Sequence, residues 1–299
     1  MTSVAVIAHS GKSIGGGLLE LRRTLESQGV ADPLWFEVPK SKKAPKQVRR
    51  ALEAGAELIL VWGGDGMVQQ CVNAVVGSGA TLAIIPAGTA NLLATNLGIP
   101  KDIPGAVEVG LNGDQRKIDL GRFNGERFAA VAGAGFDAAL IRDSDGRLKE
   151  RFGRIAYVWG GSKNIRIKAF KATISVDGAT WYDGKATSIM FGNVDNAFGG
   201  VTASAGARPD DGMMELGVVS AEGLVQWART MARAAVGSPG KSPFVKLAQA
   251  RRADVRLDRK VLYELDGGDR EKVKKFVVEV EPGAITVRVP AGMNGHQAA

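Results

Sequence analysis

One cysteine, Cys71, stands in a chain of 299 residues. A single thiol excludes an intramolecular disulfide and fits a reducing compartment. Cys71 falls at an apolar position of a helical pattern, so it reads as core. No apolar run approaches the roughly 20 residues needed to cross a bilayer. The N-terminus lacks a basic segment followed by an apolar one, so no secretory leader is predicted. These absences predict a cytoplasmic protein. Aromatic residues are sparse, at 6%, and none interleave with the basic runs. With no helix-turn-helix or zinc-finger pattern either, nucleic acid is not predicted as a partner. Internal repeats and low-complexity segments are absent too.

What is present is ordinary for a globular protein: 45% apolar and 23% charged residues. The length suffices for two domains with cores of their own. The formal charge of +8 predicts an anionic partner. Basic residues cluster at Lys40, Lys42, Lys43, Lys46, Arg49 and Arg50. They cluster again at Arg251, Arg252, Arg256, Arg259 and Lys260, and at Lys272, Lys274 and Lys275. By charge alone nucleic acid, anionic lipid head groups and nucleotide phosphates all fit, with nucleic acid ranked low for want of a motif. Any one cluster by itself reads as a solvated face.

The chain is organised around residues 57–97. Glu57 to Trp62 is an apolar run that ends in Gly63-Gly64-Asp65-Gly66, which reads as a buried strand and its turn. Val68, Cys71, Val72, Val75 and Val76 then recur at helical spacing. The unit repeats as a strand from Thr81 to Ile85, a turn Pro86-Ala87-Gly88-Thr89-Ala90, and a helix over Asn91 to Leu97. Tandem strand–turn–helix units give parallel strands whose glycine turns share the ligand-binding edge of an open sheet. Gly63, Gly64 and Gly66 let backbone N–H groups converge on an anion beside a helix N-terminus. Asp65 would repel a bare phosphate, so it suggests a magnesium nucleotide. The plain alternative is a tight turn with Asp65 as helix N-cap.

Upstream, Val4 to Ala8 is a strand, followed by Ser10-Gly11-Lys12-Ser13 and a helix over Leu18 to Glu26. Gly11-Lys12-Ser13 resembles the end of a P-loop, but Val6 stands where that motif needs its first glycine. A strand over Leu34 to Val38 and a helix over Lys46 to Ala54 complete a doubly wound order. Beyond about Leu111 period-2 segments take over, at Lys117 to Gly121, Arg127 to Ala132, Ala172 to Val176, Thr187 to Gly192, Met214 to Val219, Ala253 to Leu257, Phe276 to Val280 and Ile285 to Val289. Val176-Asp177-Gly178-Ala179 reads as a hairpin turn. Helices are expected at Arg154 to Asn164 and Leu224 to Ala235, a loop at Gly237 to Pro243, and an unstructured tail from Asn294. The predicted fold is a doubly wound α/β domain over residues 1–116, completed by 285–299, with a β-sandwich over 117–284.

In order along the chain come Gly63-Gly64-Asp65-Gly66-Met67, Pro86-Ala87-Gly88-Thr89-Ala90-Asn91, Leu97-Gly98-Ile99-Pro100, Ile118-Asp119-Leu120-Gly121, Gly135-Phe136-Asp137, Pro209-Asp210-Asp211-Gly212 and Leu265-Asp266-Gly267. In this order they resemble the diacylglycerol kinase and sphingosine kinase family of lipid kinases. The resemblance covers nearly the whole chain. It implies a nucleotide domain of the NAD kinase type, a β-sandwich, and an active site between them.

By the resemblance, Ser10, Gly11, Gly63, Gly64, Asp65, Gly66, Met67, Gly88, Thr89 and Asn91 contribute to ATP binding. Asp65 and Asp119 belong to an aspartate–water–magnesium network. Asp211, with the carbonyls of Arg208 and Met213, holds a structural Mg2+. Asp266 is the general base, with Asp65 the second catalytic carboxylate. The implied reaction moves the ATP γ-phosphate to a lipid hydroxyl, most simply diacylglycerol giving phosphatidic acid. The implied partner is a lipid at the anionic inner face of the membrane, touched peripherally, and a homodimer is compatible with it.

By themselves, Asp211-Gly212 reads as a turn, Asp266-Gly267-Gly268 as a hairpin and Asp119 as a strand end. Met67, Gln70, Leu92 and Gly268 stand where the family has Thr, Glu, Asp and Glu. Of the family's first-strand motif only Ser10-Gly11 remains. Glu264 and Asp269 lie near enough in sequence to substitute for the missing Glu. Two rivals follow: a kinase of a sphingoid or NAD-like acceptor, and a weakened nucleotide or lipid sensor.

Overall fold

A computed structural model describes residues 3–135, 168–194, 208–222, 226, 230, 233 and 242–292. The expected helix at Arg154 to Asn164, most of that at Leu224 to Ala235, the Phe136-Asp137 pair and the tail from Asn294 lie outside the described residues. The chain divides into two compact units, Met1–Ile118 with Gly283–Ala299, and Asp119–Pro282.

The first unit alternates strand and helix: β1 (Val4–His9), α1 (Gly17–Ser27), β2 (Leu34–Val38), α2 (Ala44–Glu53), β3 (Leu58–Gly63), α3 (Asp65–Val75), β4 (Thr81–Pro86), α4 (Leu92–Asn96) and α5 (Ile103–Asn112). The strands pair in parallel in the order β2-β1-β3-β4. Every residue of β3 and β4 is buried, as strands covered on both faces must be. The helices bury one stripe each: Leu21 and Leu25 of α1, Val48 and Ala51 of α2, Cys71, Val72 and Val75 of α3. Burial pushes the Cys71 thiol up, so it is inert core. Helix α5 had no counterpart in the sequence reading. Gly105 and Gly110 weaken its helical pattern, yet Asp102 caps it by accepting from the Gly105 N–H at 2.8 Å. Gly110 lets it lie on the sheet, where a Cβ would come 3.2 Å from the Ala83 Cβ.

The second unit is antiparallel: β5 (Asp114–Phe123), β6 (Glu126–Phe128), β7 (Val131–Gly135), β8 (Phe170–Val176), β9 (Ala179–Ala186), β10 (Ser188–Gly192), β11 (Met214–Val219), β12 (Val245–Ala250), β13 (Arg252–Leu265) and β14 (Gly268–Val289). Strands run β12-β11-β10-β7-β13. The long β13 leaves β7 to pair with β8, which pairs with β9, while β14 flanks β13. The two sheet regions enclose one core. Phe123 stacks on Tyr263 and on Phe276, each at 4.4 Å between ring centres. The predicted segment Arg127 to Ala132 proves to be two strands, broken at residues 129–130. The predicted hairpin at Asp177-Gly178 has φ of 48° and 89°, the geometry of a type I′ turn. The end of β14 returns to the first unit, where Thr286 and Val287 pair in parallel with Thr81 and Leu82 of β4.

Candidate active site

The strand order of the first unit reverses between β1 and β3, and an open parallel sheet binds ligands beyond the carboxyl ends at such a reversal. The three glycine turns predicted from sequence follow β1, β3 and β4. The second and third touch. A Cβ on Gly88 would lie 2.6 Å from the Gly64 Cα, and one on Gly64 would lie 3.2 Å from the Gly88 Cα. Two backbones this close admit only glycine, which is why both motifs carry one there.

Gly64 is the N-cap of α3, in extended conformation, and its carbonyl accepts from the N–H groups of Met67 and Val68. Asp65 is therefore not the cap of its own helix. Its carboxylate reaches across to the neighbouring turn. Oδ2 accepts from the Asn91 N–H at 3.1 Å and Oδ1 from the Leu92 N–H at 2.5 Å. The carboxylate thereby satisfies two backbone donors of the neighbouring turn. Asn91, left-handed at φ 47° and buried, closes the turn: its Oδ1 accepts from the Gly88 N–H at 3.0 Å and its Nδ2 donates to the Gly88 carbonyl at 2.6 Å. Asp65 and Asn91 thus tie the two turns together. Met67 has 1% of its surface exposed. It lies under Gly63, where a Cβ would come 2.5 Å from its own, so its side chain belongs to the core. Leu92 is likewise buried. Gly66 and Thr89 are exposed at the tips of the two turns.

In the first turn Ser10 and Gly11 are exposed. The Ser10 N–H and hydroxyl both donate to the Val38 carbonyl, at 3.0 and 3.3 Å. His9, which the sequence reading missed, accepts from the Gly11 N–H through Nδ1 at 3.1 Å. That bond puts the neutral ring's proton on Nε2. Partial burial, then the charge of Lys12, hold the imidazole below its ordinary value. The signal was its place at the end of the first strand, directly before Ser10-Gly11.

The second unit gathers the three aspartate motifs into one network. Asp266 heads the turn between β13 and β14, at φ 47° with Gly267 at 80°. Although its backbone is an ordinary hairpin, its side chain is buried. The carboxylate accepts from the N–H groups of Ala129 and Ala130 at 2.8 Å and of Val131 at 3.0 Å. Asn193 carries the network onward. Its N–H donates to the Ala130 carbonyl, and its Nδ2 donates to the carbonyls of Asp119 at 2.7 Å and Ala129 at 3.3 Å. Its Oδ1 is buried with no hydrogen-bond partner among the described residues. Asp119, also buried, accepts from the Gly212 N–H at 2.7 Å and donates its own N–H to the Pro209 carbonyl at 2.6 Å. No local sequence pattern marked Asn193. Glu264 is fully buried and accepts from the Gly267 N–H at 2.7 Å, so it braces the hairpin, and Asp269 is exposed.

Asp211 accepts from the Met213 N–H at 2.9 Å. Burial, with the charges of Asp119 and Asp210, pushes its carboxyl up, while the Met213 N–H and Arg208 oppose that. Crowded carboxylates are oxygen donors of the kind that a hard cation takes, and a cation would relieve the repulsion. No group of three or more His, Cys, Asp or Glu able to hold a metal occurs among the described residues.

Residues 3–123 match the diacylglycerol kinase catalytic domain, and residues 130–289 the YegS C-terminal NAD kinase beta sandwich-like domain. The chain belongs to the diacylglycerol kinase family. It is 31% identical to a probable lipid kinase YegS-like of Pseudomonas aeruginosa, over 83% of this chain and 82% of that one. It is 31% identical to the diacylglycerol kinase of Bacillus subtilis over 71% of each. In fold it resembles a diacylglycerol kinase of Bacillus anthracis, with a TM-score of 0.73, 20% identity and 96% of both chains covered. An NAD kinase of Archaeoglobus fulgidus solved with ATP shares the fold at a TM-score of 0.56 and 10% identity, over 96% of this chain and 93% of that one. As a member of this lipid kinase family the chain is a phosphotransferase with an alcohol group as acceptor. The described part contains no helix long and apolar enough to cross a membrane.

Proposed function

We propose that this kinase transfers the γ-phosphate of ATP, with Mg2+, to the free hydroxyl of diacylglycerol, giving phosphatidic acid. The observation that carries the reading is the contact of the Gly64 and Gly88 turns at the carboxyl ends of adjacent strands. Two glycine turns that meet beside the N-terminus of an eleven-residue helix make a surface that phosphates can approach closely.

In this reading Gly64, Gly66, Gly88 and Thr89 bound the phosphate surface, with Ser10 and Gly11 at its third side. Asp65 and Asn91 keep its shape. Magnesium, when bound, neutralises charge on the phosphates. Asp119 and Asp211 are the carboxylates assigned to cation binding. Asp266 receives the proton of the acceptor hydroxyl. Three backbone donors favour its anion. A loose transition state leaves the proton on the hydroxyl until late, so positioning matters more than a strong base. The family supports a lipid acceptor, and diacylglycerol is the simplest one.

The test uses purified protein, magnesium and radiolabelled ATP with micelles carrying diacylglycerol, ceramide, sphingosine or monoacylglycerol in turn, beside soluble NAD. Label in diacylglycerol alone is expected. Label in another lipid or in NAD would replace the acceptor. No label with ATP binding intact would favour a sensor.

A further inference from the structure

Three consecutive N–H groups of the first glycine turn are spent inside the protein. That of Ser10 donates to the Val38 carbonyl at 3.0 Å and that of Lys12 to the His9 carbonyl at 3.1 Å. That of Gly11 donates to the His9 Nδ1 at 3.1 Å. The first two acceptors are backbone carbonyls, which do not change with pH. The third is an imidazole, whose ordinary range spans neutral pH. A proton on Nδ1 would set donor against donor at that bond and free the Gly11 N–H.

His9 stands where that release meets a ligand. It ends β1 beside Val38 of β2. On its other side a Cβ on Gly63 would lie 3.9 Å from the His9 Cβ, so the residue adjoins the second glycine turn. Among the described residues only the imidazole stands over Gly11, where a Cβ would come 3.4 Å from its Cε1. Gly11 itself is exposed and His9 half-buried. Trp62, buried at the end of β3, donates through Nε1 to the Lys12 carbonyl at 3.4 Å and holds the far side of the turn. His9 is thus the adjustable contact of a turn otherwise pinned by groups that do not titrate.

Burial, then the charge of Lys12, keep the proton off the imidazole in the free protein. The acids around the turn are engaged elsewhere. Glu20 of α1 accepts from the Gly16 N–H at 2.6 Å, Glu37 of β2 from the Trp35 Nε1 at 2.8 Å, and Asp65 of α3 from the N–H groups of Asn91 and Leu92. Lys40, beyond β2, is exposed.

We infer that the first turn takes an oxygen of the ATP polyphosphate with uptake of one proton by His9, the imidazolium Nδ1–H and the Gly11 N–H both donating to that oxygen. Two donors that face one another are satisfied together by a shared anionic acceptor. The phosphate charge offsets that of Lys12 and steadies the imidazolium. Because binding raises the value of His9, affinity rises as pH falls from the bound value toward the free one, by up to about tenfold per pH unit. The inference rests on the ATP site proposed above and adds a proton-linked binding residue to it.

The experiment is calorimetry of magnesium–ATP binding in buffers of different ionisation enthalpy, from pH ~8 to pH ~6, with His9→Asn beside the unaltered chain. The Asn Oδ1 can accept from the Gly11 N–H as Nδ1 does, but it takes no proton. The unaltered chain should take up more protons and tighten more steeply toward low pH than His9→Asn, which keeps only the titration of the nucleotide itself. The chain has two histidines, so NMR follows His9 directly, with His9→Asn identifying its signal. ATP should raise the His9 value and shift the Gly11 amide in the same titration. Should the variant fold poorly, that NMR titration of the unaltered chain decides alone. Equal proton uptake in both forms, or a His9 value that ATP leaves in place, would overturn the inference and leave the ATP site standing. No ATP bound by either form would sink the ATP site. Inorganic triphosphate then serves as the probe, and a His9 value unmoved by it would overturn this inference too.

Discussion

Gly64 and Gly88 meet so closely that a Cβ on Gly88 would lie 2.6 Å from the Gly64 Cα and 2.9 Å from the Asn91 Oδ1. Both obstacles are backbone or a buried amide, so neither yields cheaply. Gly88→Ala should cost about 1–3 kcal/mol in a urea titration and abolish ATP binding by calorimetry. Gly66→Ala separates fold from ligand. A Cβ there meets nothing within 4 Å and sits in the first turn of α3, so stability should hold or rise slightly. ATP affinity should nevertheless fall, because the added methyl occupies space assigned to phosphate. Unchanged affinity would move the phosphates elsewhere.

Asp65→Asn tests whether this carboxylate builds the turn. One oxygen becomes an NH2 facing the N–H of Asn91 or Leu92, leaving donor against donor. The expected loss is about 1–3 kcal/mol in the urea midpoint, with weaker ATP binding alongside. Were Asp65 mainly a partner of magnesium, stability would stay and the magnesium requirement alone would rise.

Asp266→Asn places an NH2 against the donors that hold the carboxylate, so it should also destabilise by about 1–3 kcal/mol. Asn193→Leu, which strips the Nδ2 donor from the Asp119 and Ala129 carbonyls, should cost a similar amount. Loss of turnover in Asp266→Asn supports a role in catalysis only where the variant, assayed well below its melting temperature, still binds ATP. A variant that keeps turnover would remove Asp266 from the chemistry.

Glu281 gives the second unit an acid-sensitive tie. The Arg127 guanidinium, bonded to it in a fork at 2.5 and 2.9 Å, holds its carboxyl below the usual carboxylate value, against a smaller effect of burial. A depressed carboxyl adds stability above its unfolded value, about 4.3, and that stability is lost as pH falls through the lower folded value. Half-buried and partly screened, the pair is worth on the order of 1 kcal/mol. Glu281→Gln should therefore be less stable than the unaltered chain at pH ~6, and the gap in urea midpoints should narrow as pH falls below about 4. A gap that stays constant through the acid range would contradict this.

Much of the architecture was legible because its signals are local. Fully apolar runs marked β3 and β4, glycine clusters marked the turns after them, and Asp-Gly pairs marked two type I′ hairpins. What the sequence hid was long-range. Asp65 looked like a cap or a magnesium partner because nothing nearby showed that the backbone donors to its carboxylate lie at Asn91 and Leu92, more than twenty residues on. Met67 looked like a turn residue, whereas its side chain packs under Gly63. Asn193 sits in no motif of its own and gains its place from strands far apart in sequence. Strands β9 and β12 were missed because their exposed faces blur the alternation, with Lys, Asp and Gln among them.

The return of β14 to β4 sets a schedule for the nascent chain. Thr81 finds its outer neighbour only when Thr286 has been made, about 200 residues later. At roughly 5–20 residues per second that is a wait of about 10–40 s. Throughout it, one edge of a largely apolar parallel strand stands open to pair with any other chain nearby. Synthesis rate and helper proteins that shield such an edge should therefore govern how much of this kinase reaches its native form.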